Sequence, residues 1–466
     1  MQVTTRSSAS DKRIALFVAT LSSFLAPFMI SAVNIAIPVI GGRFAVSAVV
    51  LSWFATAYLL AATMFLVPFG RLADIHGRKR IFIYGMCIYV TSSLIAAVAN
   101  SAAMFIIARI VEGTGAAMIM GTGVAILTSV FPPQERGRAL GINVAAVYLG
   151  LSLGPFIGGF LTDFLTWRSV FMVNVPLGLS ALALVFWKLK GEWAGARGEK
   201  FDLTGSVIYS VMLVALVYGL TQVPEMHVVG AALLAAGAAG LIAFIWWEGR
   251  AEHPVLNISL FRNNAVFAFS NLAALINYSA TFAVTFLLSL YLQYTKGYSP
   301  FMAGLLLVPQ PVVMTALSPF AGRLSDRIEP IVVASVGMAV TTMGLFFFIF
   351  LGEGTSLVLI IANLIILGVG FSLFSSPNTN AVMSSVEKRY YGVAAGTLGT
   401  MRTIGQSFSM GIVMLLFAVY IGGTRITPDT HQLFLTSARV AFIIFTCLCF
   451  LGIFASLARG KMRGEQ

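Results

Sequence analysis

The sequence predicts an all-α integral membrane protein, and three observations carry that reading. Hydrophobic residues fill 58% of the 466 positions and charged residues only 10%, with a mean hydropathy of +0.92. A soluble domain carries about 25% charged residues to keep its surface wet, so these charges are too few to coat a globule of this length. The apolar residues also come in long runs, such as 81–99 and 358–374. Runs of about 20 match a hydrocarbon core roughly 30 Å thick, and every backbone amide there must be satisfied within its own segment, which makes the runs helices. The short alternating segments of an outer-membrane barrel are not visible.

Fourteen spans are predicted, at about 14–40, 48–70, 81–99, 103–131, 138–162, 169–187, 204–222, 227–247, 264–293, 301–322, 331–351, 356–378, 391–421 and 434–458. The first is too long for the apolar region of a cleaved signal peptide and is expected to stay as a span. An even number of spans puts both termini on one face. Of the 29 lysines and arginines, 22 fall on that face. Five fall on the opposite one (Arg43, Arg168, Lys296, Arg425, Arg439), and Arg109 and Arg402 fall inside spans. Basic residues collect in cytoplasmic loops, so cytoplasmic termini are expected, in a multi-pass protein of the inner (plasma) membrane.

The same distribution argues against nucleic acid as a partner, because the net charge of +12 is divided among short loops. Cys87, Cys447 and Cys449 lie within spans and form no CxxC pair. They read as buried small apolar side chains, with no metal site and no cofactor. Four scattered histidines give an enzyme little to work with, and no selectivity ring or repeated pore loop suggests a channel. A carrier remains, expected to act as a monomer.

A weak repeat organises the spans. Pro68-Phe69-Gly70-Arg71-Leu72-Ala73-Asp74 closes span 2, and Pro319-Phe320-Ala321-Gly322-Arg323-Leu324-Ser325-Asp326 closes span 10. With spans 7 and 8 as an insertion, each is the second helix of a six-helix half, a recurring transporter plan. The chain then divides into an N-terminal six-helix bundle (1–187), a connector with two inserted helices (188–263) and a C-terminal six-helix bundle (264–466).

Three motifs sharpen this. The loop after span 2 continues through Asp74 to Gly77-Arg78-Lys79-Arg80, with Gly77 suited to a tight turn and the cluster to a basic anchor. Span 4 carries Arg109-Ile110-Val111-Glu112-Gly113-Thr114-Gly115. Span 5 carries Gly150-Leu151-Ser152-Leu153-Gly154-Pro155-Phe156-Ile157-Gly158-Gly159, whose small residues recur every fourth position and allow close helix packing. Pro155 there permits a kink. These stretches resemble motifs A, B and C of the major facilitator superfamily. Trp167-Arg168 with Asn174-Val175-Pro176, Tyr291-Leu292-Gln293, Gly297-Tyr298-Ser299-Pro300 and Met401-Arg402 with Gly405 are similar to its fourteen-helix drug:H⁺ antiporters. Asn34-Ile35-Ala36-Ile37-Pro38 in span 1 adds to that likeness.

The resemblance implies the major facilitator fold, two six-helix bundles plus two inserted helices. It implies a multidrug exporter, a conformational latch at Gly70, Arg71, Asp74, Gly77 and Arg78, and an antiporter motif at Gly150, Gly154, Pro155, Gly158 and Gly159. Two departures stand out. Glu112 occupies a position that usually holds glutamine, and Met29 one that usually holds aspartate.

A charge at mid-membrane costs at least a few kcal/mol and is a functional hypothesis by default. Glu112 is the one acid clearly inside a span, a helical turn from Arg109. Either it carries the coupling proton, tuned by Arg109, or the two form a permanent buttress. Phe24, Phe28, Met29, Asn34, Trp53, Tyr58, Tyr148, Tyr278, Phe282, Tyr291 and Arg402 are the candidates for holding an amphipathic small molecule near the midplane. The expected cargo is cationic or neutral; the alternative is a facilitator, or an exporter of lipid-like or anionic cargo using Arg109 and Arg402, without proton coupling through Glu112.

Overall fold

The computed structural model describes residues 9–189, 191–224, 226–387, 391–427 and 430–460. It contains fourteen helical spans long and apolar enough to cross a membrane. The first six are Lys12–Phe44, Ala48–His76, Arg78–Ala97, Ala102–Val130, Gly141–Leu165 and Trp167–Trp187. Leu203–Gln222 and His227–Glu248 follow as spans 7 and 8. Spans 9 to 14 are Ala265–Thr295, Pro300–Ser325, Pro330–Phe348, Leu357–Ser384, Tyr391–Tyr420 and His431–Leu457.

Local chemistry sets the ends of these helices. Ser47, Ser101, Ser299 and Ser356 sit at N-caps and accept from the amide three residues on, satisfying a donor that has no helical partner. Proline breaks the path in two places. Span 10 is interrupted at Val308 ahead of Pro309, and span 6 at Val173 ahead of Pro176. Pro155 does not interrupt span 5, whose helix runs through it to Phe160; a π-helical turn, Leu161–Leu165, follows. A second π-helical turn, Tyr291–Thr295, ends span 9.

The packing repeats. In the first half, span 1 lies along span 5, span 2 along span 4, and span 3 against spans 4 and 6. Eight spans later the same pairings return: span 9 on span 13, span 10 on span 12, and span 11 on spans 12 and 14. Spans 7 and 8 pair with each other, and span 7 also touches span 2 and span 13, one from each half. The inserted pair thus lies beside the seam between the bundles. Glycines permit the close approaches: a Cβ on Gly150 would come within 2.5 Å of the Phe24 carbonyl oxygen, and one on Gly158 within 2.6 Å of the Ala32 Cα.

The outside is apolar. Ile107, Phe164, Trp187, Val228 and Val358 are exposed large hydrophobics, as a surface against lipid tails requires. Cys87 and Cys447 belong to that surface, correcting the expectation that all three cysteines are buried; only Cys449 is. Their spans are apolar on every side, so hydropathy alone could not say which face each residue takes.

Candidate transport site

The bundles meet on the side opposite the termini and in the middle. At that far side the Ala48 amide donates to the Thr424 carbonyl at 3.0 Å, Ser289 Oγ to the Asn34 carbonyl at 2.8 Å, and Gln293 Nε2 to the Ile35 carbonyl at 2.9 Å. Tyr294 Oη reaches the Pro38 carbonyl at 3.2 Å. Motif C contributes directly: Gly159 faces the Pro300 carbonyl, and Gly304 of span 10 lies against the Pro155 carbonyl so closely that neither position has room for a Cβ. At mid-depth Thr63 Oγ1 bonds Ser407 Oγ at 2.9 Å, and Ser152 Oγ bonds Thr315 Oγ1 at 3.2 Å. Toward the termini, glycines of both bundles border open space. A Cβ on Gly70 of span 2, or on Gly392, Gly396 or Gly399 of span 13, would meet nothing within 4 Å.

The N-terminal bundle encloses its charge pair. Arg109 and Glu112 are 1% and 0% exposed. Arg109 Nη1 donates to Glu112 Oε2 at 2.5 Å, and Nε donates to the Phe54 carbonyl at 3.1 Å. Ser93 Oγ from span 3 donates to the second carboxylate oxygen at 2.8 Å. The guanidinium lies 4.3 Å from the Tyr58 ring centroid, a cation–π contact strengthened by desolvation. Both carboxylate oxygens are engaged, which is what a charge pair buried in hydrocarbon needs to persist.

A second polar group lies where the bundles meet. Tyr148 Oη of span 5 bonds Ser375 Oγ of span 12 at 2.8 Å, and Ser318 Oγ of span 10 donates to the Met314 carbonyl at 2.7 Å. Arg402 of span 13 places its guanidinium 5.2 Å from the Tyr278 ring centroid, and that ring meets Phe371 edge-on at 5.4 Å. Arg402 is half-buried, and its Nε is buried without a hydrogen-bond partner. None of the ion pairs among the described residues includes it.

Of the candidates from sequence, the fold brings Tyr278 and Arg402 into contact and places Tyr148 within their electrostatic reach. The others lie elsewhere. Tyr58 is under Arg109, and Trp53 faces Tyr218 of span 7 at 6.0 Å between ring centroids. Tyr291 is buried at the far side, bonded to the Gly352 carbonyl at 2.8 Å, and Asn34 takes part in the seal there. Phe28 stacks on Phe24 at 5.3 Å, Met29 is fully buried, and Phe282 packs at the junction of two helical segments of span 9. Ser93, Ser318, Phe371 and Ser375 carry no signal in the sequence, because serine and phenylalanine recur throughout these spans and only the packing selects which ones meet a partner.

The loop of motif A is tied to its own bundle and to the connector. Arg78 Nε donates to Asp74 Oδ1 at 2.8 Å while Nη1 reaches the Ala125 carbonyl at 2.9 Å. Arg71 pairs with Glu199 of the connector at 2.5 Å, and the Ala196 amide donates to the Asp74 carbonyl. Gly77 turns the chain at φ +119°, a conformation that side chains with a Cβ rarely adopt.

Residues 19–410 match the family model of the Major Facilitator Superfamily. The chain is 31% identical over 410 residues to the multidrug resistance protein Stp of Mycobacterium tuberculosis, covering 86% of this chain and 76% of that protein. It is 33% identical over 434 residues to the cephamycin export protein CmcT of Amycolatopsis lactamdurans, covering 91% and 89%. A solved peptide transporter POT in complex with alafosfalin superimposes with a TM-score of 0.68 at 13% identity, covering 95% of each chain; that likeness concerns the fold. With its fourteen apolar helices and a family match over most of its length, the chain is a multi-pass membrane transporter that belongs to the major facilitator superfamily.

Proposed function

We propose that this chain is a proton-coupled exporter of amphipathic small molecules, working by alternating access with its termini in the cytoplasm. The observation that carries the coupling is Glu112: it is the one acid placed well inside a span, it is fully buried, and it faces Arg109. A carboxylate in that setting has two competing partners, the proton and the guanidinium, and a change in helix packing decides between them. One proton moved through 100 mV supplies about 2.3 kcal/mol.

The seal on the side opposite the termini and the open space toward them support a cargo entrance on the cytoplasmic side. In the opposite conformation the motif A residues Gly70, Arg71, Asp74, Gly77 and Arg78 act as the latch that holds the cytoplasmic halves together. The glycines and Pro155 of motif C hold the present seal.

Reconstituted protein in liposomes with an imposed pH gradient tests this. Wild type drives uphill cargo movement with proton counterflow, and Glu112→Gln abolishes it. Undiminished uphill transport by Glu112→Gln removes Glu112 as the carrier. The full hydrogen bonding of the Arg109–Glu112 pair favours one second reading, a facilitator in which the pair only braces the bundle. Cargo flux that ignores the pH gradient in wild type selects that reading.

A further inference from the structure

We infer that the cargo held between the bundles is an amphipathic organic anion, an aromatic body bearing a carboxylate or sulfonate, with its charge taken by Arg402. The inference rests on the export reading above for the role of this site and adds the class of molecule.

Charge balance leads to it. A guanidinium within a membrane-spanning helix needs a counter-charge or equivalent acceptors, and Arg109 has Glu112. Among the described residues no acid forms an ion pair with Arg402. Of the seventeen acids, Glu112 alone lies well inside a span, and both of its oxygens are engaged in the N-terminal bundle. The remaining sixteen lie in loops, in the terminal segments or near the ends of spans. The Tyr278 face, 5.2 Å away, offsets the charge only partly. Arginine stays protonated, so the site cannot relieve itself by losing a proton.

The geometry is also that of a site. The buried Nε of Arg402 has a donor without an acceptor, which costs free energy until a ligand supplies one. Tyr148 and Ser375 add hydroxyls that can rotate to donate to an anion. Tyr278 and Phe371 supply flat apolar walls. The helix that carries Arg402 is the one whose Gly392, Gly396 and Gly399 face open space toward the termini, so the approach from that side leads along span 13. A cationic cargo would meet an arginine here and, among the described residues, no acid paired with it.

Two dyes with a shared xanthene body and opposite charge make the test: fluorescein as the anion and rhodamine 123 as the cation. Each is titrated by fluorescence anisotropy against the purified full-length protein, with no pH gradient. Fluorescein is expected to bind saturably and about tenfold or more tighter than rhodamine 123. Arg402→Gln removes the difference, and Arg402→Lys keeps part of it, since the charge remains while the planar fork is lost. Ser375→Glu, which puts a carboxylate beside Tyr148, a side chain within the electrostatic reach of Arg402, reverses the preference; this gain keeps the test decisive even where an arginine variant folds poorly. Preference for rhodamine 123 in wild type, no saturable fluorescein binding, or an anion preference unchanged in Arg402→Gln overturns the inference. Because no gradient is applied, Glu112→Gln protein that has lost uphill transport still shows the anion preference. Gradient-driven export of a cation without fluorescein binding defeats the inference and leaves the coupling intact.

Discussion

Span 4 and span 13 each carry an arginine within the membrane, and the two bundles treat it in opposite ways. Arg109 is sealed in, with Glu112, the Phe54 carbonyl and the Tyr58 ring around it. Arg402 stands half-buried at the seam with an aromatic ring beside it, a nitrogen without an acceptor and, among the described residues, no ion pair. A guanidinium enclosed with its own counter-charge can brace a bundle, or yield its carboxylate partner to a proton. One left with free donors at an interface can hold a ligand. Under the proposed function, the difference assigns coupling to one half of the molecule and recognition to the other.

The largest effect expected on breaking this contrast comes from Glu112→Leu. It leaves Arg109 buried and unpaired, a change that costs about 3–5 kcal/mol, visible as a marked fall in the melting temperature of the detergent-solubilised protein. Adding Arg109→Met should restore most of that loss, since two apolar groups of similar volume replace the pair, while uphill transport stays absent. A double variant as unstable as the single would mean that the pair is not a local unit.

Next in size is Gly304→Ala. Its Cβ would run into the Pro155 carbonyl, and overpacking of this kind costs about 1–3 kcal/mol, here only while the far side is closed. Spin labels across the seal should report a shift of about tenfold toward the conformation that exposes the site to the other side. Unchanged distances would show that this contact does not hold the seal.

Ser93→Ala removes one donor from a buried carboxylate oxygen and is expected to cost about 1–3 kcal/mol in melting experiments, nearer the lower end if the oxygen finds a water. Arg402→Gln should be the mildest, within about 0.5 kcal/mol of wild type in stability because it breaks no ion pair, yet it alters which cargo binds. A large destabilisation by Arg402→Gln would make the two arginines alike and erase the contrast.

Much of the fold was legible from the residues because the bilayer leaves few choices. Apolar runs of about 20 must be helices, so the fourteen spans followed from counting, and the repeat of Pro68–Asp74 at Pro319–Asp326 agrees with pairings that recur eight spans later. Glu112 stood out for the same reason: a lone acid in hydrocarbon is conspicuous. The aromatic candidates were different. Tyr148 bonds across the seam and Tyr278 faces Arg402, whereas Trp53 faces the inserted pair and Tyr291 the far side, yet nothing in their neighbouring residues distinguishes them. A helix buried or lipid-covered on every face has no polar stripe to mark its orientation.

By itself, then, the sequence determined the spans, the family and the presence of two intramembrane arginines with a single acid between them. Those are properties of composition and local order, enforced by the cost of exposing backbone or charge to lipid. Only the tertiary structure decided which side chains enclose the Arg109–Glu112 pair, which rings lie against Arg402, and which side of the molecule is sealed. Helix rotation and bundle contact are settled by close packing between segments hundreds of residues apart, and that information does not reside in any one segment.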